Sequence, residues 1–385
     1  MPSQQSQPLR FTVDGSSELE QHLDSVCAKV RAGVRALVPN EKMDGLLLAG
    51  GYGRGEGGVL HTSTGDQPYN DMEFYVFIRG NRLLADRNYR AALHELGVGL
   101  TQPAGLDIEF KVLTINTLRR SAPSMFYYDL VLGHRWLIGD DALLSGCEHH
   151  RDAGKIPLHE ATRLLMNRCS GLLFSAERLS RADFGPAEAD FVGRNHAKVQ
   201  LALGDVLLAA SQQYDWSCRE RHARLLQLDG LADQELFAAI CAHHTTGVAF
   251  KLHPCRSLET RSKLTQRQAE LSDLARRLWL WLENRRLSTN FTSTREYALS
   301  ACNKCPEQPG WRNRLVNVRE CGIAGISCAR YPRQRLQHAL CLLLWENNLH
   351  DDTAGRQRVQ QELRSQAGDF AGLVEAYQHL WHRFN

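Results

Sequence analysis

Residues 45–58 read GLLLAGGYGRGEGG, an apolar run that ends in a cluster of glycines. The run from Gly45 to Ala49 is short and apolar, which is typical of a strand buried on both faces. The glycines after it let the backbone approach a ligand closely, and their N–H groups can be directed at phosphate oxygens. Arg54 adds a fixed positive charge suited to phosphate. The segment therefore predicts a strand that ends in a phosphate-binding turn.

Two pairs of acidic residues begin the next predicted strands. Asp71 and Glu73 open an aromatic and β-branched run, and Asp107 and Glu109 open another. Side chains alternate along a strand, so each pair lies on one face with its backbones roughly 6.5–7 Å apart. Adjacent buried carboxylates repel each other unless cations neutralise them, and oxygen ligands of this kind suit Mg²⁺. We therefore expect a metal site formed by Asp71, Glu73 and a third carboxylate.

The third carboxylate has two candidates. Asp107 is preferred because it comes first on its strand, between Leu106 and Ile108. Glu109 points to the same face and is the alternative.

The order of elements predicts an α+β chain. Residues 1–16 are polar and predict a disordered tail, and residues 17–150 follow the order helix, strand, glycine-rich turn, strand, helix, strand. Within them, the apolar residues of Glu18 to Val38 recur at helical spacing. Helical periodicity dominates residues 151–385, which predicts a mainly α-helical C-terminal domain.

The order Gly50-Gly51, then Asp71-x-Glu73, then Asp107 resembles the nucleotidyltransferase superfamily, which includes polymerase β, the aminoglycoside nucleotidyltransferases and the minimal nucleotidyltransferases. The run YYDLVLGHRWLIGDD at 127–141 adds to this, since many members carry a similar Tyr-Asp-Leu segment after the third strand. The resemblance implies a mixed sheet with flanking helices.

The resemblance also implies an activity. Asp71, Glu73 and Asp107 would bind Mg²⁺ or Mn²⁺, and Gly50 and Gly51 would hold a triphosphate. The reaction would move a nucleoside monophosphate from an NTP to an acceptor hydroxyl, with pyrophosphate leaving. The sequence contains no motif that identifies the acceptor.

The spacing of the motifs departs from the family pattern. Asp71 follows Gly51 by more than the usual dozen residues, which requires a loop insertion around residues 61–68. Gly57-Gly58 would restore the usual spacing, but it would leave Gly50 to Arg54 without a role.

The predicted helical domain offers a further pair. Lys198 and Asp205 are seven residues apart on one helix face. In related two-domain transferases the helical domain supplies a basic residue for the phosphates, so Lys198 is the candidate for that role and Asp205 for the general base. The alternative is a structural ion pair.

The cysteines allow a second metal hypothesis. Cys302-x-x-Cys305, with Cys321 and Cys328, could supply four thiolates to zinc. An odd total of eleven cysteines is more typical of reduced cytoplasmic thiols, however, than of a disulfide framework.

Composition excludes several classes of protein. Lys plus Arg number 46 and Asp plus Glu 43, a net charge of +3, which is unlike polybasic proteins that coat nucleic acid. A local nucleic-acid partner is allowed but unsupported. The longest apolar runs are far shorter than the ~20 residues of a membrane-spanning helix, so we expect no membrane association and a cytoplasmic location.

Two other functions fit the same residues. The chain could be a non-catalytic nucleotide-binding or partner-binding protein that keeps the fold. It could also be the nucleotidyltransferase of a toxin–antitoxin pair, acting on RNA or protein.

Overall fold

The computed structural model describes residues 10–229, 231–322, 330–346 and 352–384, with only the backbone of Glu320 and Cys321. The chain is α+β, with a small mixed sheet and a helical C-terminal region. It forms two compact units, and each is made of several chain segments. The first comprises Met1–Pro157, Ser211–Leu228 and Val248–Cys255, and the second comprises Leu158–Ala210, Asp229–Gly247 and Arg256–Asn385.

The strands of the described residues all precede residue 139. They are β1 (Met43–Leu48), β2 (Gly58–Thr62), β3 (Gly65–Tyr69), β4 (Asp71–Ile78), β5 (Asp107–Leu113) and β6 (Arg135–Ile138). The α-helices are α1 (Ser17–Leu37), α2 (Gly50–Gly53), α3 (Arg82–Ala104), α4 (Ile115–Arg120), α5 (Met125–Leu132), α6 (Leu158–Ser180), α7 (Pro186–Ala210), α8 (Cys218–Leu225), α9 (Gln234–Leu252), α10 (Arg261–Leu287), α11 (Thr294–Leu299), α12 (Gly310–Cys321), α13 (Pro332–Trp345), α14 (Thr353–Leu363) and α15 (Phe370–Phe384). Short 3₁₀ turns cover Asp141–Leu144, Glu148–His150 and Ala153–Lys155.

The four-stranded sheet of the first unit has the order β5-β4-β1-β6. β1 is antiparallel to both β4 and β6, whereas β4 and β5 are parallel. A parallel pair needs a long crossover connection, and α3 supplies it. The register places Asp71 opposite Asp107 and Glu73 opposite Glu109.

Both faces of this sheet are buried, which explains the continuous apolar run of β1. Leu46 and Leu48 lie in the core shared with α1 and α3, whereas Leu47 lies in the opposite core with α4 and α5. β4 divides in the same way, with Phe74 in the first core and Tyr75 in the second.

The predicted N-terminal helix is confirmed with a one-residue shift at each end, as α1. The Ser16 side chain caps it by accepting a hydrogen bond from the Leu19 N–H, which satisfies one of the unpaired donors of the first turn. Its buried residues recur at three and four: Leu19, Leu23, Val26, Cys27, Val30 and Val34.

Part of the predicted N-terminal tail is packed. Phe11 is buried, and its backbone N–H donates to Glu20 Oε2 at 2.8 Å. Thr12 forms a bridge with Gly57. An apolar anchor and a carboxylate partner on α1 thus order residues 10–16, while residues 1–9 lie outside the described residues.

The predicted loop insertion is a β-hairpin. β2 and β3 pair antiparallel from Gly58 opposite Tyr69 to Thr62 opposite Gly65. The additional residues between Gly51 and Asp71 therefore form a separate two-stranded sheet.

The second unit is helical in its described residues, as the sequence predicts for the C-terminal region, but residues 151–157, 211–228 and 248–255 of the predicted helical domain belong to the first unit. The second unit contains a buried ion pair. Glu283 is fully buried on α10 and accepts two hydrogen bonds from Arg286, at 2.8 and 2.6 Å. The Thr162 hydroxyl donates to Glu283 at 2.6 Å and the Tyr297 hydroxyl at 2.8 Å. Four donor hydrogen bonds compensate the desolvation of this carboxylate.

Gly53 allows the closest backbone contact of the glycine-rich turn. A Cβ at this position would stand 2.3 Å from the carbonyl oxygen of Leu48. We expect Gly53→Ala to lower the free energy of unfolding by about 1–3 kcal/mol, because the strand end must move to admit the methyl group. Gly99→Ala is the matched control, since a Cβ on that α3 residue meets nothing within 4 Å. It should raise stability by about 0.5–1 kcal/mol. Urea denaturation followed by circular dichroism measures the free energy of unfolding of both variants. Equal values for the two variants would contradict a packing role for Gly53.

Candidate metal centre

Three carboxylates meet where β4 and β5 begin. One oxygen from each of Asp71, Glu73 and Glu109 lies within 4.8 Å of the others. Asp71 and Glu73 are half-buried and Glu109 is exposed. Adjacent oxygens on one octahedral Mg²⁺ lie about 3.0 Å apart, since each bond is about 2.1 Å, and only opposite oxygens reach about 4.2 Å. The three carboxylates would therefore have to move closer together to hold one such ion.

Glu109 takes the place that the sequence assigned first to Asp107. Asp107 is exposed, and it lies opposite Asp71 in the strand register. Glu109 lies opposite Glu73, and its longer side chain carries an oxygen to the other two carboxylates. The alternative third carboxylate is thus the one that the structure brings into the cluster.

Burial and like charge act together on Asp71. Desolvation raises the pKa of its carboxyl, and the neighbouring Glu73 and Glu109 raise it further. Lys251 and Lys111 act in the opposite direction, but the net pKa stays above its ordinary value.

Lys111 is a cation inside the cluster. Its Nζ donates to Glu73 Oε1 at 2.8 Å and lies 3.9 Å from Glu109 Oε2. It also lies 3.4 Å from the Tyr75 hydroxyl. Burial alone would lower the pKa of Lys111, but Tyr75 and Glu73 raise it above the ordinary value. The sequence already indicates this cation, because Asp107, Glu109 and Lys111 alternate along one strand face and also fit a salt-bridged surface strand without a metal.

Lys251 is the second cation, and sequence reasoning missed it. It lies near the end of α9, in the part that belongs to the first unit. A Cβ on Gly51 would stand 3.2 Å from Lys251 Nζ, and one on Gly50 would stand 3.4 Å from Glu73 Oε2. The paired glycines thus lie beside a carboxylate and an ammonium. Burial lowers the pKa of Lys251, and the charge of Arg54 lowers it further.

Tyr52 fixes the glycine-rich turn from within. Its ring is 2% exposed, and its hydroxyl donates to the Gly58 carbonyl at 2.9 Å and accepts from the Tyr69 N–H at 2.7 Å. A Cβ on Gly57 would stand 2.1 Å from this ring. Gly57 is therefore needed for the packing of the turn, whereas Gly50 and Gly51 lie beside charged groups.

Arg54 has partners within the protein. Its guanidinium group lies 3.3 Å from Asp129 Oδ2 and donates to the Trp216 carbonyl at 3.1 Å. Only 12% of the side chain is exposed. Asp129 belongs to the Tyr-Asp-Leu segment, so this contact joins two of the sequence motifs. The phosphate-binding role of Arg54 remains a prediction.

Glu56 connects the same turn to a later segment of the first unit. The side chain is 2% exposed, and its carboxylate accepts from Ser217 Oγ at 2.5 Å and from the Cys218 N–H at 2.9 Å. Burial raises the pKa of this carboxyl, but these hydrogen bonds and Arg54 outweigh it, so the net pKa is low. An ionised glutamate therefore caps the N-terminus of α8.

An open groove of about 680 Å³ runs beside the cluster. The whole of β5 lines it, including Glu109 and Lys111, together with Phe126 and side chains of α3 such as Arg90. A ligand in this groove would have direct access to the exposed carboxylate of Glu109.

Lys198 and Asp205 lie in the second unit, on α7. Lys198 is exposed, whereas Asp205 is buried with its Oδ1 3.1 Å from Nε2 of the buried His244. Their predicted roles toward phosphate and acceptor remain predictions.

The zinc hypothesis falls partly outside the described residues. Cys302 is half-buried and Cys305 is buried, both as free thiols. The side chain of Cys321 and the whole of Cys328 are not described, so the predicted zinc site remains a prediction.

Among the described residues, no helix combines the length and the apolar character needed to cross a bilayer. Comparison of the chain with protein-family models, with curated proteins and with solved structures gives no match.

The raised pKa of Asp71 makes a prediction about stability. A carboxyl whose pKa is higher in the folded state destabilises the fold once it ionises, so stability is lost as the pH rises through the folded-state pKa. Without divalent ions, we expect Asp71→Asn to melt above the wild type at pH 7, by roughly 2–4 °C for each kcal/mol relieved. The difference should shrink as the pH falls toward 4.

Thermal denaturation with a chelator present measures this effect. Asp107→Asn removes the same charge from an exposed position in the neighbouring strand and should melt close to the wild type. A melting temperature below that of the wild type for Asp71→Asn at pH 7 would show that the neighbouring carboxylates do not destabilise ionised Asp71.

Proposed function

We propose that this protein is a metal-dependent nucleotidyltransferase that moves a nucleoside monophosphate from an NTP to an acceptor hydroxyl. The observation that carries the proposal is the convergence of Asp71, Glu73 and Glu109 beside the glycine pair, with the Lys251 ammonium next to Gly51. The mixed sheet, with acidic residues at the start of β4 and β5, supports the proposal.

The donor set favours a hard cation. All three candidate ligands are carboxylates, and oxygen-only sites suit Mg²⁺ and Mn²⁺. When bound, such an ion would offset the charge that develops on the phosphoryl oxygens during transfer. The carboxylate cluster would hold it, and the binding would relieve the repulsion that raises the pKa of Asp71.

The remaining groups of the first unit would bind the nucleotide. The ammonium of Lys251, next to Gly51, would pair with the triphosphate, and the glycines would let the phosphates approach the backbone. The acceptor oxygen would attack the α-phosphorus in line, and the bond to the bridging oxygen of pyrophosphate would break. The hydroxyl proton would pass to solvent water.

The groove beside Glu109 is the candidate entrance for the acceptor. It is open, and charged and aromatic side chains line it, Arg90 and Phe126 among them. A hydroxyl-bearing acceptor in this groove would lie next to the carboxylate cluster.

Pyrophosphate release from each NTP, with Mg²⁺ or Mn²⁺ and a panel of acceptors, tests the proposal. Asp71→Asn and Glu73→Gln should each lower the rate by at least about 100-fold, which corresponds to about 2.7 kcal/mol of transition-state stabilisation. Asp107→Asn should keep a rate near that of the wild type. Turnover that survives loss of both Asp71 and Glu73 would refute the role of the cluster.

A second function is favoured by the internal partners of two cations. Lys111 already neutralises part of the charge on Glu73, and Arg54 is bound to Asp129. These contacts fit a protein that binds a nucleotide without turning it over. NTP binding measured by calorimetry, with no pyrophosphate release on any acceptor, would support this alternative.

A further inference from the structure

Lys111 occupies a position between two members of the carboxylate cluster. Its Nζ lies 2.8 Å from Glu73 Oε1 and 3.9 Å from Glu109 Oε2. Sites that use two divalent ions hold them about 3.5–4 Å apart, with a carboxylate shared between the two ions. The ammonium thus stands where a second ion would contact both carboxylates.

Glu73 is divided between two environments. Its Oε1 accepts the hydrogen bond from Lys111, whereas its Oε2 lies 3.4 Å from the point where a Cβ on Gly50 would stand. Asp71, which precedes it on the same face of β4, is influenced by the charge of Lys251. Lys111 therefore contacts the cluster through Glu73 and Glu109, whereas Lys251 lies beside Gly51, on the side of the glycine pair.

The net charge of the cluster also favours one divalent ion over two. Three ionised carboxylates carry −3, and the ammonium groups of Lys111 and the nearby Lys251 reduce this to −3 + 2 = −1, which one divalent ion more than neutralises. A second divalent ion would have to lie next to the ammonium, where like charges repel.

We propose that Lys111 serves as a permanent substitute for a second metal ion, so that the site binds one divalent ion, beside Gly50, through Asp71 and Glu73. The inference rests on the proposed function, because it concerns how the same carboxylates bind their cation. Lys111 is a positioning residue here, since it acts through Glu73 and Glu109.

Titration of the full chain with Mn²⁺ alone tests this, with free Mn²⁺ measured by electron paramagnetic resonance. The wild type should bind one ion. Lys111→Met should bind two, with the dipolar broadening that a pair of Mn²⁺ ions about 4 Å apart produces. Lys111→Arg keeps the charge and should bind one ion, and Lys29→Met, which removes an exposed lysine of α1, should behave as the wild type.

The other outcomes separate the two proposals. Two ions bound to the wild type would show that Lys111 leaves the cluster when metal arrives, which its 42% exposed side chain permits, and would overturn this inference alone. One ion bound to a Lys111→Met variant that melts cooperatively would also overturn it. A wild type that binds no Mn²⁺ would refute the metal-dependent function and this inference with it.

Discussion

The parallel, in-register pairing of β4 with β5 is the constraint from which the candidate site follows. It sets Asp71 beside Asp107 and Glu73 beside Glu109, so acidic side chains that are 36 residues apart in sequence share one face at the start of the two strands. Carboxylates this close repel one another, and the neighbouring cations offset part of that repulsion. Lys111 lies within the cluster, and Lys251 reaches the adjacent glycines from much later in the chain.

Local sequence pattern accounts for much of the first unit. The alternation of side chains predicted β4 and β5 with their acidic residues, and the helical spacing of apolar residues predicted α1. These signals are visible within ten to twenty residues. Local pattern cannot decide between Asp107 and Glu109, because both lie on one strand face. The pairing register with β4 and the length of the side chain distinguish them.

The remaining partners depend on tertiary contacts that no local pattern encodes. Lys251 is 200 residues from Gly51, and Glu56 meets Ser217 and Cys218 across more than 160 residues. For Arg54 the local pattern predicts more than the structure requires. A basic residue in a glycine-rich turn indicates phosphate binding, but Arg54 already pairs with the carboxylate of Asp129. Part of the glycine-rich turn likewise serves packing, because Gly57 adjoins the ring of Tyr52.

The contact between Glu56 and α8 limits where the protein can be cut into fragments that keep the first unit intact. Residues 211–228 and 248–255 belong to the same compact unit as the sheet, so that unit is discontinuous along the chain. A recombinant fragment cut after residue 157 would omit Lys251, and it would leave an ionised, desolvated carboxylate without its donors. Swapping this module into another protein therefore requires transplanting three stretches of coding sequence together.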